Sequence, residues 1–399
     1  MTMSSTSALA ADAPSHAARE LLLAAGLALG PMVVTGIARF AYGLLLPAMQ
    51  VDLGWSFTQA GAMNTANGLG YLIGTVLSLR LAGAVDARRT FGCGLLITAL
   101  ALVASGAVRS LEALLALRAI TGIASALAFV SGTALAARIG QLQRAPLAIA
   151  VYFSGAGLGI VLSGAALPAL FERSGAAAWP LAWLALGATA LLCTLPSVLA
   201  CAALPSTRGA RHAATWRAQP LAPSFAGHFL FGAGYIVYMT FVLTWMATRG
   251  SSAIEVSGMW ALLGAAIMAS PWIWRGLLRD GRGGAPLATS IFVLAAGAAL
   301  PLCSTAWPVM ALSAALVGSA VMIPAAASTA FVRRCARQPG ADAALATYSV
   351  VFAAGQCIGP VPAGFVADAT GSLSAALALS AALLLLGAAI ASRQREMVR

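Results

Sequence analysis

An arginine stands in the middle of a long apolar segment near the start of the chain. In "VVTGIARFAYGLLLP", residues 33–47, Arg39 is the one charged residue and Tyr42 follows three positions later. A guanidinium binds a carboxylate through two parallel hydrogen bonds. Residues three apart share one face of an α-helix, so we expect Arg39 and Tyr42 to line one anion-binding cavity. The alternative is that Arg39 extends its side chain to the nearer helix end and has a structural role.

The same spacing recurs in the second half of the chain. A shift of 196 residues places "GIARFAYGLLLPAMQVDLG" on "GAGYIVYMTFVLTWMATRG" without a gap, so that Tyr235 aligns with Arg39 and Tyr238 with Tyr42. The shift also pairs Gly68 with Gly264, Gly122 with Gly318 and Arg138 with Arg334. One unchanged shift over several segments indicates an internal duplication. We predict that the two later tyrosines complete the cavity, with packing of paired hydroxyls as the alternative.

Other polar side chains interrupt the apolar segments. Asn64 and Asn67 lie one helical turn apart, and Gln356 lies in a late segment. Such amides contact a ligand or join helices by hydrogen bonds, and all three are candidate substrate-binding residues. Arg118 is the second charge inside an apolar segment. His228 is the one side chain in these segments that titrates near neutral pH, so it is a candidate proton carrier, with hydrogen bonding in the core as the alternative.

The elements that position these residues are membrane helices. Charged residues make up 9% of the chain and hydrophobic residues 60%, against about 25% and 45–50% in soluble domains. Apolar runs of about 20 residues recur along the chain, and a run of that length crosses a bilayer as a helix. We therefore predict an all-α integral membrane protein. The twelve predicted spans are 20–48, 57–79, 91–108, 111–137, 146–170, 179–203, 221–248, 255–275, 286–305, 308–332, 343–367 and 373–391.

The arginines are distributed unevenly about these spans. All 23 basic residues are arginine; if the spans alternate, 18 of them lie on one side of the membrane. Arg109, Arg173 and Arg249 lie on the other side, and Arg39 and Arg118 lie within spans. The positive-inside rule then places both termini of this multi-pass membrane protein in the cytoplasm. The net charge of +12 therefore reflects topology, and we expect no nucleic-acid partner.

The longest polar break divides the spans six and six. We predict a cytoplasmic tail over 1–19, an N-terminal six-helix bundle over 20–204 and a cytoplasmic linker over 205–220. A C-terminal six-helix bundle over 221–392 and a cytoplasmic tail over 393–399 follow. Two repeats in the same orientation are related by an axis along the membrane normal, with a ligand site between them near the middle of the bilayer.

Two polar loops resemble the major facilitator superfamily. "RGLLRDGRGG" resembles the Gly-x-x-x-Asp-Arg-x-Gly loop of that family through Asp280 and Arg282, and "LAGAVDARRTFG" keeps Asp86, Arg88 and Arg89 in the equivalent loop of the first half. Ionic contacts from such loops to neighbouring helix ends would close the cytoplasmic side and break when the halves rock. These five residues are candidate gating residues, and the alternative is that they enforce topology.

Two membrane segments extend the resemblance. "LRAITG" is similar to the Arg-x-x-x-Gly motif of the family through Arg118, which the resemblance links to proton coupling. "GQCIGPVPAGFVADATG" resembles its Gly-Pro motif of antiporters, which adds Gly359 and Pro360 to the candidate gating residues. "GIARFAYGLLLP" with "ANGLGYLIGT" looks like the bacterial YbfB/YjiJ-type branch. The resemblance implies twelve transmembrane helices as two six-helix repeats, and a secondary transporter.

These observations favour transport of a small organic solute by alternating access. The favoured cargo is an organic anion or an aromatic acid, and proton coupling stays open. The alternative is a proton-coupled multidrug or metabolite efflux antiporter, which the Gly-Pro motif favours and the lack of an acidic residue deep in any predicted span disfavours. With no Gly-x-x-x-x-Gly-Lys and no lysine, ATP drive from this chain is excluded. We expect a monomer in the bilayer with no enzymatic activity, cofactor or metal.

Overall fold

The computed structural model describes residues 13–139, 145–205, 219–335 and 340–396. This part of the chain folds into helices, and no strand occurs in it. We number the spans in chain order. Spans 1 to 6 are Ala13–Pro31 with Met32–Phe40 and Tyr42–Leu53, then Phe57–Leu81, Ala87–Ser105, Leu111–Ala136, Ala145–Ser174 and Trp179–Ala202. Spans 7 to 12 are Ala222–Thr248, Ala253–Ile273, Ala285–Cys303, Trp307–Ala320 with Ile323–Cys335, Gly340–Ile358 with Pro360–Thr370, and Leu373–Ala391.

The predicted twelve-span, all-helical class is confirmed. Eleven helices of the described residues are long and apolar enough to cross a membrane. Span 2 is the twelfth; its 25 residues extend over about 37 Å, but its glycines together with Asn64 and Asn67 lower its hydropathy. The linker and most of the N-terminal tail lie outside the described residues, so the predicted domain boundaries remain predictions.

Serine residues set where several spans begin. We call the face that carries residues 13 and 396 the termini face, and the opposite face the far face. On the far face, the Ser56 hydroxyl accepts a hydrogen bond from the Gln59 backbone at span 2, and Ser252 does the same for Glu255 at span 8. These serines satisfy backbone N–H groups that a helix start leaves unpaired. Their positions fix the far ends of the two spans.

Glycine contacts show the duplication in three dimensions. A Cβ on Gly36 would lie 2.6 Å from the Ala156 carbonyl oxygen of span 5, and a Cβ on Gly232 would lie 2.6 Å from the Phe352 oxygen of span 11. Gly232 lies 196 residues after Gly36, and Phe352 lies 196 residues after Ala156. The shift found in the sequence therefore relates two equivalent helix packings, one in each half of the bundle.

The two halves meet along spans 2 and 11 and along spans 5 and 8. A Cβ on Gly61 would lie 2.5 Å from the Pro360 oxygen, and one on Gly264 would lie 2.6 Å from the Gly157 oxygen. Span 11 is interrupted at Gly359, directly before Pro360. Backbones this close leave room only for glycine, so the interface between the halves is built around small residues.

Candidate functional site

Arg39 lies at the interface between the halves, in an unusual turn of span 1. Residues Met32–Phe40 form a π-helix, a conformation that often marks functional sites. The guanidinium stacks on the Tyr71 ring of span 2, with 4.6 Å from Cζ to the ring centroid. Arg39 is 8% exposed, and no hydrogen bond or ion pair joins it to another described residue. The Tyr71 ring therefore covers one face of the Arg39 guanidinium, while the N–H donors of the guanidinium stay available for a ligand.

The wall of the other half opposite Arg39 is aromatic. Tyr235 of span 7 and Cys357 of span 11 lie within electrostatic range of the Arg39 guanidinium. The Tyr235 ring stacks on Phe231 and Phe352, with centroids 5.0 and 5.6 Å away. No hydrogen bond to the Tyr235 hydroxyl occurs among the described residues. Tyr235 and a stack of three rings therefore lie on the side of the interface that Arg39 approaches, and the cavity shared by Arg39 and Tyr235 stays a prediction.

Gln356 lies next in the chain to Cys357, at the same interface. Its side chain is fully buried, and neither its amide nitrogen nor its amide oxygen has a hydrogen-bond partner in the structure. An unpaired buried amide costs free energy, typically about 1–3 kcal/mol for each group. Such an amide is a candidate for binding a polar ligand.

Arg118 differs from Arg39 because its donors are satisfied inside the N-terminal half. Its guanidinium donates to the Ala38 carbonyl at 2.5 Å, to the Asn64 amide oxygen at 3.1 Å and to the Met63 carbonyl at 3.5 Å. It also packs 5.2 Å from the Tyr42 ring centroid. The Ala38 carbonyl belongs to the π-helix of span 1. Arg118 therefore joins spans 1, 2 and 4 and supports the turn that carries Arg39.

The structure separates Tyr42 and Tyr238 from Arg39. The Tyr42 hydroxyl donates to the Ala60 carbonyl at 2.8 Å, and the Tyr238 hydroxyl lies 2.7 Å from the Ser313 hydroxyl. An i→i+5 helix turns less per residue than an α-helix, so the three-residue spacing from Arg39 no longer places two side chains on one face. Both tyrosines are fully buried and paired within their own halves, which corresponds to the packing alternative.

The two asparagines of span 2 hold helices together in this structure. The Asn64 amide oxygen accepts a hydrogen bond from the Arg118 guanidinium, and its amide nitrogen donates to the Thr240 hydroxyl of span 7 at 2.7 Å. Asn67 donates to the Arg118 backbone carbonyl at 3.2 Å. Asn64 thus connects the two halves near the middle of the bundle, and Asn67 connects spans 2 and 4.

His228 lies near the termini face of span 7. Its Nδ1 is 3.3 Å from the Ser328 hydroxyl, and its ring packs against Phe231, Tyr348 and Phe352 at centroid distances of 5.3–5.6 Å. The ring is 2% exposed. His228 therefore lies in the aromatic cluster that continues from Tyr235 toward the termini face.

The loop residues of the N-terminal half form local contacts on the termini face. Arg88 pairs with Asp86 at 3.0 Å and donates to the Leu204 carbonyl at 3.1 Å, at the end of span 6. Arg89 is exposed. The Arg88 contacts lie within one half, so in this structure they stabilise the ends of spans 3 and 6.

The equivalent loop of the C-terminal half is more exposed. Arg279 donates two hydrogen bonds to Asp280 at 2.9 Å, which hold the pKa of that carboxyl below its usual value. Arg282 is also exposed. Pro360 lies between the halves, because a Cβ on Gly61 of span 2 would meet its carbonyl oxygen. A Cβ on Gly359 would meet the Ala233 carbonyl of span 7, which is a contact within the C-terminal half.

Sequence reasoning missed Tyr71 and Asp368. Tyr71 lies seven residues after Asn64 and four after Asn67, so helical spacing on span 2 was the signal that could have identified it. Asp368 binds the start of span 2 across the interface. No motif marked this contact, because it joins residues more than 300 positions apart.

This arrangement defines a class of protein. Two six-helix halves enclose buried polar side chains near the middle of the bundle. Among the described residues, the hydrogen bonds between the halves occur from this middle region outward to the far face. Such a bundle is a transporter that exposes a central site by moving its halves, rather than an enzyme.

Comparison with known proteins identifies the family. The family described as uncharacterised MFS-type transporter YbfB matches residues 31–392. The chain therefore belongs to this family of the major facilitator superfamily and is a secondary transporter that works by alternating access. No curated protein matches the chain.

Solved structures share the fold. The nucleoside transporter NupG has a TM-score of 0.69 at 16% identity, with 94% of this chain and 100% of that chain covered. A bacterial homologue of the human lysosomal transporter Spinster, inward-facing and occupied, has a TM-score of 0.69 at 15% identity, with 94% and 96% covered. The same homologue, unoccupied, has a TM-score of 0.67 at 14% identity, with 96% and 99% covered. At these identities the likeness concerns the fold alone.

Proposed function

We propose that the protein transports a small organic anion or aromatic acid, which Arg39 binds at the interface between the halves. The contrast between the two buried arginines supports this assignment. Arg118 donates to three acceptors of its own half, whereas Arg39 has none among the described residues. A guanidinium with available donors in a buried interface is best paired by an anion that arrives from outside the protein.

The surrounding charges also favour an anion. The acidic side chains of the described residues lie at span ends and in loops, for example Asp52, Glu172 and Asp368. The middle of the bundle therefore holds two arginines and no carboxylate in the described residues. A cation would be repelled there, while a carboxylate would be stabilised by both positive charges.

The aromatic wall accounts for the second part of the proposed cargo. Tyr71 covers one face of the Arg39 guanidinium, which leaves its edge directed away from that ring. The Phe231, Tyr235 and Phe352 rings lie nearly parallel, with interplanar angles of 14–24°. A flat aromatic ring packs well on such a wall, and the unpaired Gln356 amide supplies a donor and an acceptor. Arg39 would bind the carboxylate.

The orientation and coupling of the transporter are also proposals. We propose a monomer in the bacterial inner membrane with the termini face toward the cytoplasm, because the arginines concentrate on that face. Proton coupling through Arg118 and His228 stays a prediction. Both side chains are engaged in this structure by Asn64 and by Ser328, so coupling would require these bonds to rearrange or the anion to carry the proton.

Ligand binding to purified protein tests the proposal. We would measure thermal stability in detergent with aromatic acids, aliphatic carboxylates, nucleosides and cationic drugs, for the unaltered chain, Arg39→Gln and Arg109→Ala. Arg109 lies in an exposed ion pair on the far face and provides the matched arginine control. A ligand at 100 times its Kd adds about 2.7 kcal/mol to the stability of the folded state.

We expect carboxylates to stabilise the unaltered chain and Arg109→Ala but not Arg39→Gln. Tyr71→Phe should keep this response and Tyr71→Leu should weaken it, because a cation–π contact contributes about 0.5–2 kcal/mol. Uptake of the best ligand into proteoliposomes then confirms transport. Equal responses of the unaltered chain and Arg39→Gln to carboxylates would assign Arg39 a structural role, and stabilisation by cationic drugs alone would favour the efflux antiporter.

A further inference from the structure

One carboxylate connects the far ends of spans 2 and 11. Asp368 accepts hydrogen bonds from the backbone nitrogens of Phe57 and Thr58 at 2.8 and 2.9 Å, and from the Thr58 hydroxyl at 2.5 Å. The first N–H groups of a helix are unpaired and carry a partial positive charge, so they bind anions. Because span 11 belongs to the C-terminal half, Asp368 caps a helix of the opposite half.

The duplication provides an equivalent position that lacks this contact. The 196-residue shift places Glu172 of span 5 on Asp368, and it places the Ser56 cap on the Ser252 cap of span 8. Glu172 is exposed and lines a cleft of about 410 Å³ on the far face, together with Ala253 of span 8. No hydrogen bond joins Glu172 to the start of span 8 in the described part of the chain. One side of the far face is closed and its counterpart is open.

The third residue of each capped helix explains the difference. In span 8, the Glu255 carboxylate lies 2.8 Å from the Ser252 backbone nitrogen and supplies the negative charge at that helix start. In span 2 the equivalent residue is neutral, because Gln59 accepts from the Ser56 nitrogen through its amide oxygen at 3.0 Å. Like charges repel, so Glu255 disfavours a second carboxylate at span 8. Because Gln59 is neutral, a carboxylate from the opposite half can bind at the start of span 2.

We propose that Asp368 is the latch that closes the far side of the transport pathway, and that Gln59 permits this latch to form. Alternating access requires the halves to separate on the far face in the opposite state. The Asp368 bonds must then break, and water can replace each of them at this exposed position. A polar latch of this kind holds the closed state and still releases, whatever the cargo is.

The other contacts between the halves assign this role to Asp368. Thr65 donates to the Cys357 carbonyl at 3.1 Å and Asn64 donates to Thr240 at 2.7 Å, and both bonds join neutral groups closer to the middle of the bundle. Among the described residues, the charged hydrogen bonds across the interface are those of Asp368. Charge-assisted hydrogen bonds are roughly twice as strong as neutral ones, so the latch is the strongest polar contact that must open.

Accessibility of Cys357 measures opening without any cargo. Cys357 lies inward of the latch on span 11, so a chain with this as its one cysteine can be labelled with a membrane-impermeant maleimide supplied at the far face of oriented proteoliposomes. The variants are Asp368→Asn, which removes the charge at constant size, and Glu172→Gln as the matched control on the open side. Gln59→Glu keeps Asp368 and gives span 2 the carboxylate that span 8 has.

We expect Asp368→Asn to raise the labelling rate about tenfold, which corresponds to about 1.4 kcal/mol, and Gln59→Glu to raise it in the same direction. Glu172→Gln should label at the rate of the unaltered chain. Equal rates for Asp368→Asn, Glu172→Gln and the unaltered chain would overturn the latch. An unchanged rate in Gln59→Glu would overturn the role of Gln59. Because no cargo is present, the proposed anion could be wrong while these rates still support the latch.

Discussion

At the scale of single residues, two buried arginines of the same chain have different hydrogen-bond surroundings. Sequence reasoning identified both Arg39 and Arg118 as intramembrane charges, because a charge in an apolar segment is conspicuous. It could not determine which one is satisfied by neighbours. That depends on whether Ala38, Met63 and Asn64 present acceptors to the guanidinium, and they do so for Arg118.

Replacement of Arg118 tests its structural role. Arg118→Ala leaves three buried acceptors without their donor, and we expect it to destabilise the protein by about 3–5 kcal/mol. Arg109→Ala removes an exposed pair with Asp52 and should change stability by less than about 1 kcal/mol. Thermal unfolding in detergent measures both. If the two variants melt at the same temperature, the Arg118 contacts contribute little to the fold.

At the scale of helices, the sequence predicted where the spans lie and missed how one of them turns. Apolar runs located the ends of spans 2 to 12 to within four residues, and span 1 starts seven residues earlier and ends five residues later than predicted. The π-helix Met32–Phe40 gives no comparable signal, because it differs from an α-helix in hydrogen-bond spacing rather than in composition. It rotates Arg39 relative to Tyr42, so Arg39 packs on Tyr71 while the Tyr42 hydroxyl bonds to Ala60.

Helix packing at the duplicated glycines is also testable. Gly36→Ala would place a methyl group 2.6 Å from the Ala156 oxygen, and Gly232→Ala would do the same to the Phe352 oxygen. We expect each change to destabilise the protein by about 1–3 kcal/mol. Gly276→Ala is the matched control, because a Cβ there has no atom within 4 Å. Similar melting temperatures for Gly36→Ala and Gly276→Ala would show that span 5 can move away from span 1.

At the scale of the whole molecule, the far face is closed along spans 2 and 11 and keeps a cleft between spans 5 and 8. The sequence predicted two similar halves but gave no reason for this asymmetry. The proposed latch attributes it to one difference between the repeats, Gln59 against Glu255, which the structure places at the equivalent helix starts. The proposed latch thus acts on one of two equivalent helix pairs that meet at the interface between the halves.

The orientation of the molecule in the membrane gives a prediction at this scale. In a chain without native cysteines, Arg109→Cys lies on the far face and Arg282→Cys on the termini face, and both positions are exposed. A membrane-impermeant maleimide should label Arg109→Cys in intact cells and Arg282→Cys only after permeabilisation, because the arginine-rich face stays in the cytoplasm. The reverse pattern would invert the proposed topology.

The sequence by itself determined that the protein lies in a membrane, how many spans it has and that its halves are duplicated. These properties depend on the hydrophobicity and periodicity of the residues along the chain. It also aligned Arg39 with Tyr235 through the 196-residue shift, and their common cavity stays a prediction. The tertiary structure alone decided which arginine keeps its donors available, which hydroxyls are already paired and which carboxylate caps a helix of the opposite half. These properties depend on hydrogen-bond partners from distant helices, and such partners are set by packing rather than by local residue pattern.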